Sequence, residues 1–434
     1  MMIRKNILLR PLDSVHWGPP QTNQAGDTHY VRCEFPPTGR TIQGLLRTRL
    51  LQAADPKVAL GPGADQVTIA ALVGPPDSLL DGWSVTGPFP VGWDPVLPED
   101  KRYPEPYFPV PAFVAIEPTD EKNKGRCVGR ARKIQSAHRS WDSLGLSSNA
   151  ESPAALYGFP RGDKNKAGGL WWVRGSDFAQ LMLNTISFGF TTRDVTAWRA
   201  LPPFVRGEQQ TGIEVDDDKG IAKDEMLYTL QRLRFAPGTG LWCSFVGDVK
   251  TPLQPGALTT GAGSMGRKSG AVALEEAKPW SQGIVDYLNG SWIEPWVTEQ
   301  AKTGDTLRLW MVLVTPGELS TKTESPVDLA VANHGGARIR VHHEGMLCGP
   351  RWIGGFDWAK KTPRENRCFA DVGTAFPVEI VGGDVADRVL LIQQLHHHAV
   401  VGQKADTQMG FGHVLLGPMD DDTVEHKKDN NKTR

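Results

Sequence analysis

The chain has 434 residues, of which 39% are hydrophobic and 22% are charged, and its formal net charge at pH 7 is −1. This composition is that of a folded protein with a substantial core, and the length is sufficient for two or three domains. The near-zero net charge excludes nucleic-acid binding through overall basicity, so that such a role would need local basic patches.

Cysteine usage and hydropathy indicate the compartment. The five cysteines are scattered without a C-x-x-C pair, which argues against a disulfide framework and against a zinc site. The N-terminal sequence MMIRKNILLRPLD contains only a short apolar run and does not predict a signal peptide. No apolar run approaches the roughly 18–20 residues of a transmembrane helix. We therefore expect a cytoplasmic protein that makes no contact with a membrane.

The first part of the chain predicts a strand, a helix and a long irregular segment. Residues 2–12 alternate as in a strand that ends near Pro11. In TIQGLLRTRLLQAA the apolar residues recur at helical spacing, which predicts a helix over Thr41–Ala54. The segment from Pro62 to Pro118 is rich in Pro, Gly and Trp, which favours short strands and irregular insertions.

A basic run follows at residues 121–140, where seven Lys or Arg stand against one Glu. Its composition predicts a mobile loop. Arg130, Arg132 and Lys133 within it are candidate contacts for RNA or for a partner protein. A merely solvated loop is an equally good interpretation of the same residues.

The middle of the chain predicts a short helix and then several strands. The helix, near Ser176–Leu183, follows the pair Trp171–Trp172, for which core packing or protein contact is favoured over stacking on a base. The segment QTGIEVDDDKGIAKDEMLYTLQRLRF predicts a strand, an acidic turn and a second strand around Met226–Phe235. GLWCSFVGDV alternates like a further strand.

The last part of the chain repeats this alternation. DTLRLWMVLV predicts a strong strand, and two more strands are predicted at Arg340–Leu347 and Phe376–Val381. A helix is predicted at Ala386–His397, and MGFGHVLLG supplies a final strand. The tail after residue 420 is charged and lacks apolar residues beyond Val424, which predicts disorder.

The order of these elements predicts an α+β fold. Strand, helix, strand, strand, helix, strand occurs about once in each part of the chain, which is the ferredoxin-like (RRM-like) arrangement. We expect one such domain at 1–300 with insertions over about 55–210, a second at 301–420, and a disordered tail at 421–434.

The stretch GAGSMGRKSG at 261–270 resembles two phosphate-binding loops. Gly261, Gly263 and Gly266 fit G-x-G-x-x-G, and Arg267 displaces Lys268 from its place in the P-loop pattern. Prolines precede the loop and AVALEEA after it is too short for the required helix, which argues against both motifs. Composition alone favours a glycine-rich hairpin with two solvated cations. The other interpretation is a cradle in which backbone amides and cations hold phosphates.

Three runs of ionisable residues lack the spacing of a metal site. In His396–His398 neighbouring side chains point about 100° apart on a helix, and only the outer two share a face on a strand. His342–Glu344 has the same difficulty, so that interfaces or solvated edges are the favoured places for both runs. Asp216–Asp218 precedes Lys219–Gly220, which favours an acidic hairpin turn over a divalent-ion site. The sequence therefore predicts neither a metal nor a cofactor.

Several separated segments together resemble one family. They are LLRPLDSVHW, FPPTGRTIQGLLRTRLL, TGIEVDDDKGIAKDEMLYTLQRLRF, TTGAGSMGRKSG, IGGFDWAKKTPRENRCFADVGTAFPVEI and MGFGHVLLG, in the expected order across nearly the whole chain. By these segments the chain resembles the RAMP superfamily of CRISPR proteins, and most closely the third subunit of type III-B (Cmr) effector complexes. The middle loop lacks the acidic residue of the family's usual L-G-G-E-R-R, and residues 55–170 show no usable resemblance.

The resemblance implies a pair of ferredoxin-like folds that form one RNA-binding platform, in a subunit that is not itself the nuclease. Such a subunit grips the 5′ repeat-derived tag of the guide RNA and bridges the large polymerase-like subunit and the first backbone subunit. Carried onto this sequence, the grip would involve two glycine loops, with Gly263, Gly266, Arg267, Lys268, Gly410, Gly412 and His413. Arg40 and Arg47, at the start of the first helix, are further candidate phosphate contacts.

The alternative within the same superfamily is an endoribonuclease that processes CRISPR precursor RNA. Some relatives use a histidine on or near the first helix as general acid or base. The helix predicted at Thr41–Ala54 contains no histidine, and His16 and His29 lie upstream of it. The resemblance therefore favours a subunit without a catalytic residue.

Overall fold

The computed structural model describes residues 2–18, 30–57, 65–75, 78–93, 98–99, 103–119, 123–130, 132–133, 157–158, 170–183, 195–215, 222–250, 252–266, 270–302, 304, 306–320, 327–342, 346–347, 349–354, 356–357 and 362–419. The acidic turn Asp216–Asp218, the loop residues Arg267 and Lys268, and the tail after residue 419 lie outside the described residues.

Mixed α and β structure, rich in antiparallel sheet, makes up the described chain, which confirms the predicted α+β class. The helices are α1 (Gly39–Ala54), α2 (Gln66–Val73), α3 (Gly175–Met182), α4 (Gln282–Leu288), α5 (Ile293–Gln300), α6 (Val385–Leu395) and α7 (Lys404–Gln408), with a 3-10 helix at Pro255–Leu258.

The strands fall into two groups, before and after residue 300. The first group is β1 (Met2–Pro11), β2 (Tyr30–Val31), β3 (Ser84–Gly92), β4 (Glu105–Pro109), β5 (Val114–Pro118), β6 (Lys124–Arg130), β7 (Arg132–Lys133), β8 (Tyr157–Gly158), β9 (Trp171–Arg174), β10 (Thr196–Arg199), β11 (Val205–Val215), β12 (Ala222–Phe235), β13 (Gly240–Asp248), β14 (Ala262–Met265) and β15 (Gly270–Glu276). The second group is β16 (Thr306–Leu313), β17 (Gly317–Glu318), β18 (Asn333–His334), β19 (Ala337–Val341), β20 (Pro350–Ile353), β21 (Phe356–Asp357), β22 (Thr362–Pro363), β23 (Arg367–Ala370), β24 (Ala375–Gly382), β25 (His398–Ala399) and β26 (His413–Pro418).

The first half of the chain builds a ten-stranded sheet in the order β14-β15-β1-β13-β3-β4-β9-β10-β6-β5. Its centre is antiparallel, and Leu9 of β1 lies opposite both Leu241 of β13 and Leu274 of β15. Helix α1 packs on this centre because its apolar stripe, which includes Ile42 and Leu50, is buried against the sheet. That packing fixes where the polar side of α1 lies.

The second half builds a six-stranded sheet in the order β18-β19-β24-β16-β26-β25, with α6 beside it. The two halves share a hydrophobic cluster, in which Trp310 of β16 stacks on Phe113 at a ring-centroid distance of 4.7 Å. The side chains of this cluster come from both sheets, and their shared burial stabilises the contact between the two sheets.

Several predicted elements agree with the structure in kind and place. The strand at residues 2–12 ends at Pro11, and the helix predicted at Thr41–Ala54 begins two residues earlier as α1. The predicted helix near Ser176–Leu183 is α3, and Trp171–Trp172 lie buried in β9, which confirms their packing role. The strand predicted around Met226–Phe235 forms the second half of β12.

For two other predicted elements the predicted C-terminal end is wrong. The strand predicted at Arg340–Leu347 is β19, which ends at Val341. His342 donates its N–H to the carbonyl of Pro377, but proline has no N–H to return, and the ladder stops. The helix predicted to reach His397 ends at Leu395, because the chain turns extended at His396 and that side chain enters the core.

Two features of the first half were also missed. Helix α2 lies in the segment expected to be irregular, and the side chain of Asp65 accepts hydrogen bonds from the N–H groups of Val67 and Thr68 to cap it. The basic run expected to be a loop instead forms strand β6, which pairs with β5 and β10 and buries Cys127. Residues 134–140 of that run lie outside the described residues.

Candidate nucleic-acid interface

The glycine loop lies in a β-hairpin. Strands β14 and β15 pair antiparallel with Met265 opposite Gly270, so the residues between them connect two strands and no helix follows. Gly266 has a φ of 79°, and a Cβ added there would lie 2.6 Å from the His16 carbonyl oxygen. Both nucleotide-binding motifs require a helix N-terminus after the glycines, and the hairpin provides none.

The hairpin rests directly on helix α1. A Cβ added at Gly263 would lie 2.6 Å from Leu45 Cδ1 and 3.1 Å from Arg49 Cδ, so a larger residue there would require these two side chains to shift. Arg49 Nη2 donates a hydrogen bond of 3.2 Å to the carbonyl oxygen of Thr260, just before the hairpin. Helix and hairpin therefore form one continuous surface, with the Arg49 guanidinium at their junction.

An open depression lies beside this junction, between the C-terminal end of α1 and the 3-10 helix. Its volume is about 530 Å³, and it is lined by Arg49, Gln52, Ala53, Pro56, Gln254, Gly256, Ala257, Thr259 and Thr260. Five of these residues carry guanidinium, amide or hydroxyl side chains, namely Arg49, Gln52, Gln254, Thr259 and Thr260. Such donors suit the phosphates and sugar hydroxyls of a single strand.

Arg49 was not among the residues that the sequence singled out. It lies seven residues after Ile42 and four after Leu45, so it falls on the apolar face of the helix. A cation on that face must reach a partner beyond the core, and this is the signal that could have identified it.

Arg40 and Arg47 on α1 are engaged within the protein. Arg40 donates from Nη2 to Asp406 Oδ1 at 3.2 Å and from Nη1 to the Gly354 carbonyl at 3.4 Å. Burial lowers the pKa of Arg40, and the carboxylate of Asp406 opposes that shift. Arg47 donates to the carbonyl oxygens of Gly74 and Pro75. Phosphate contact by either side chain stays a prediction.

The terminal glycine loop is packed between the two halves of the chain. At Gly410, with a φ of 86°, an added Cβ would lie 2.7 Å from the Gly87 carbonyl oxygen. At Gly412, with a φ of 66°, it would overlap the Val401 carbonyl oxygen. His413 is fully buried, with its ring 5.4 Å from that of Phe89. The geometry gives these residues a packing role, and their contact with RNA stays a prediction.

An ionic cluster joins the same loop to α1. Asp406, only 2% exposed, accepts from Arg40 at one oxygen and from Arg367 Nη2 at the other, at 2.7 Å. The Arg40 guanidinium lies 5.5 Å from the Phe411 ring centroid, and the Arg367 guanidinium lies 5.4 Å from that of Phe369. The start of α1 is thereby held against the second half.

Arg130, Arg132 and Lys133 are placed only through their backbone. Arg130 ends β6, with its Cα paired to Val114 of β5. Arg132 and Lys133 form β7, which pairs with β8. In the ten-stranded sheet, β6 lies towards the opposite edge from the glycine hairpin, so the structure does not bring Arg130 to the same site; β7 belongs to a separate two-stranded sheet.

The histidine run provides no metal centre. Leu416 N–H donates to His396 Nδ1 at 3.0 Å, and His396 Nε2 donates to the Tyr287 carbonyl at 2.8 Å. Burial lowers the pKa of His396 to about 4 and that of His397 to about 3. Among the described residues no group of three His, Cys, Asp or Glu side chains is arranged to hold a metal ion.

The chain is similar to one known protein family and to chains in two solved structures. The model of the CRISPR-associated protein family Cas_Cmr3 matches residues 7–419. Two cryo-EM structures of the type III-B Cmr-beta, both bound to cognate target RNA and one also to AMPPnP, contain a similar chain at 11% and 12% identity, each with a TM-score of 0.42 and 86% of both chains covered. No curated protein matches the chain. Within the described part of the chain, no helix is long and apolar enough to cross a membrane.

Proposed function

Because the chain belongs to the CRISPR-associated Cas_Cmr3 family, we propose that it is a non-catalytic RNA-binding subunit of a type III-B effector complex. The match of the family model to residues 7–419 carries this proposal and confirms the resemblance seen in the sequence. In this role the protein grips the 5′ repeat-derived tag of the guide RNA. It bridges the large polymerase-like subunit to the backbone subunits.

Two ferredoxin-like folds form the platform in this proposal. The strand orders of the two sheets support this arrangement. The first sheet contains the order β15-β1-β13-β3, and the second contains the order β26-β16-β24-β19. If the four strands of each set are numbered along the chain, both orders read 4-1-3-2, which is the strand order of a β-α-β-β-α-β unit. Among the described residues, each half has α-helix in one of its two crossovers: α1 and α2 in the first half and α6 in the second. The first half has the 3-10 helix in place of its second crossover.

The grip in this proposal is the surface made by the glycine hairpin, Arg49 and the open depression. Three observations support it: the close approach of Gly263 to α1, the Arg49 guanidinium at the junction, and the polar side chains among the residues that line the depression. Arg267 and Lys268, which follow Gly266 in the sequence, add two cations to the same hairpin. Backbone and cation contacts of this kind hold the phosphates of a single strand.

The non-catalytic role is supported by the burial of His16, which lies upstream of helix α1 in the sequence. His16 is 2% exposed, and its Nδ1 lies 2.7 Å from the Gln231 carbonyl oxygen, so its ring serves the fold. A general acid or base must reach the atom that it protonates or deprotonates. Helix α1 carries no histidine, and His29 lies outside the described residues.

The test uses the purified subunit and a labelled single-stranded RNA with the tag sequence. Arg267→Ala with Lys268→Ala should weaken binding and reduce the slope of log K against log salt by about 1.4, at about 0.7 per phosphate contact. Lys302→Ala with Arg308→Ala is the matched control, because both cations are exposed and paired to glutamates in the second half.

Two results would contradict the proposal. Unchanged affinity and slope in the Arg267/Lys268 variant would remove the hairpin from the grip. Metal-independent cleavage of repeat RNA that one histidine substitution abolishes would instead favour the endoribonuclease.

A further inference from the structure

Part of one face of the second sheet is open to solvent. On the face towards α6, Leu307 of β16 and Ile380 of β24 are buried in a cluster with residues of that helix. On the opposite face, Trp310 packs against Phe113 of the first half. Arg308 lies two residues before Trp310 on the same strand, and therefore on the same face, but it is exposed. The first half thus covers only one end of this face.

The register of three neighbouring strands defines the open part of the face. Arg340 of β19 lies opposite Glu379 of β24, and Glu379 lies opposite Arg308 of β16. One step along the same face, Arg338 lies opposite Val381. Residues that are directly opposite in an antiparallel pair point to the same side of the sheet. The open face therefore consists of Arg308, Arg338, Arg340, His342, Glu379 and Val381.

The one carboxylate of the open face is already engaged at both oxygens. Arg308 Nε donates to Glu379 Oε1 at 3.3 Å, and His342 Nε2 lies 3.2 Å from Glu379 Oε2. Arg338 and Arg340 are exposed, and neither forms an ion pair with any described residue. Two uncompensated guanidinium groups thus stand on one strand, at positions about 6.7 Å apart along its axis.

The side chains of the open face favour a phosphate backbone over a protein surface. None of the exposed large hydrophobic side chains of the described residues belongs to this face, and its one apolar member, Val381, is half-buried. The centre of a protein interface is rich in apolar and aromatic side chains and poor in charge. Guanidinium groups without a counterion instead suit phosphates, to which arginine donates paired hydrogen bonds.

We propose that Arg338 and Arg340 form a second phosphate-binding site for the bound RNA, on the open face of the second sheet. The inference rests on the proposed RNA-binding function and adds a contact in the second half to the glycine hairpin of the first. Each arginine holds one phosphate of a single strand, so that the site is indifferent to the base sequence. Arg308 makes no such contact, because Glu379 holds its guanidinium.

The experiment measures binding of the full chain to a labelled guide RNA that includes the tag. Arg338→Ala with Arg340→Ala should weaken binding and reduce the slope of log K against log salt by about 1.4, at about 0.7 per phosphate contact. With that slope, the fold loss of affinity should be about sevenfold larger at 50 mM than at 200 mM salt. Arg338→Lys with Arg340→Lys keeps both charges and should keep the wild-type slope.

The matched control removes two other exposed arginines. Arg199 on β10 and Arg206 on β11 form no ion pair with any described residue. Arg199→Ala with Arg206→Ala changes the net charge by the same amount and should leave affinity and slope at the wild-type values. An equal loss in this control would overturn the inference, because the effect would then come from overall charge.

The variant of the glycine hairpin separates this inference from the proposed function. Combined with Arg267→Ala and Lys268→Ala, the change at Arg338 and Arg340 should reduce the slope by about 2.8, since independent contacts add. Unchanged affinity and slope in the Arg338/Arg340 variant would overturn the inference and leave the proposed function intact. The same result with lost co-purification of a partner subunit would overturn it in favour of an acidic protein surface. Failure of the wild-type chain to bind the RNA would overturn the proposed function itself.

Discussion

His413 offers a sharp test of whether the terminal loop is a packing element. Its ring is fully buried against Phe89 and His397, and among the described residues neither ring nitrogen has a hydrogen-bond partner. Burial, with smaller contributions from the neighbouring histidines, lowers the pKa of His413 well below its usual value. The folded protein therefore keeps this imidazole neutral while the unfolded chain protonates it near pH 6.5.

The sign and size of the pH effect follow from this difference. The contribution of the neutral imidazole to the stability is fully present above pH 6.5. It is lost as the pH falls, because only the unfolded state then binds the proton. For one such histidine the free energy of unfolding falls by about 1.3 kcal/mol between pH 7 and pH 5.5. His396 and His397 have folded pKa values of about 4 and about 3, so the three together lose about 4 kcal/mol.

Urea denaturation at pH 7.0, 6.0 and 5.5 measures this loss. His413→Leu should remove about 1.3 kcal/mol of the pH dependence, while breaking no side-chain hydrogen bond of the described structure. Leu415→Val on the same strand is the control, since it should cost about 1 kcal/mol at every pH and leave the pH dependence unchanged. An unaltered pH dependence in His413→Leu would refute the reasoning.

Two further predictions test the packing of the terminal glycine loop and the ionic cluster around Asp406. Gly412→Ala should destabilise the protein by about 3 kcal/mol or more in the same urea assay, because its Cβ overlaps the Val401 carbonyl oxygen at positive φ. Gly44→Ala, at an open position of α1, should stabilise by about 0.5–1 kcal/mol, and equal effects of the two would contradict the packing argument. Asp406→Asn should lower the stability by about 3–5 kcal/mol, since it leaves two part-buried arginines without their shared carboxylate. Asp81→Asn, which removes the fully exposed pair with Lys404, should leave the melting temperature unchanged, and a comparable loss there would show that burial is not the cause.

The sequence predicted those elements whose local pattern agrees with their final environment. Helix α1 has an apolar stripe that the sheet buries, and β1 has an alternation that the sheet requires. Prediction failed where a distant partner decided the outcome. Pro377, on the neighbouring strand β24, ends β19. Strand β6 forms within a basic run because β5 and β10 pair with it.

For the candidate site, the sequence identified the glycine hairpin but not the residues that complete it. Gly263 marks a close approach, yet only the structure shows that the approaching group is α1 with Arg49. Arg40 has the charge of a phosphate contact, but its partner Asp406 is 366 residues away along the chain.

The sequence by itself determined the α+β class, the first helix, the glycine hairpin and the family, because each depends on local spacing or on the order of motifs along the chain. The tertiary structure decided which cations form internal ion pairs and which aromatic side chains remain exposed. Those outcomes depend on residues far apart in sequence, since burial and ion pairing are set by where the folded chain brings them together.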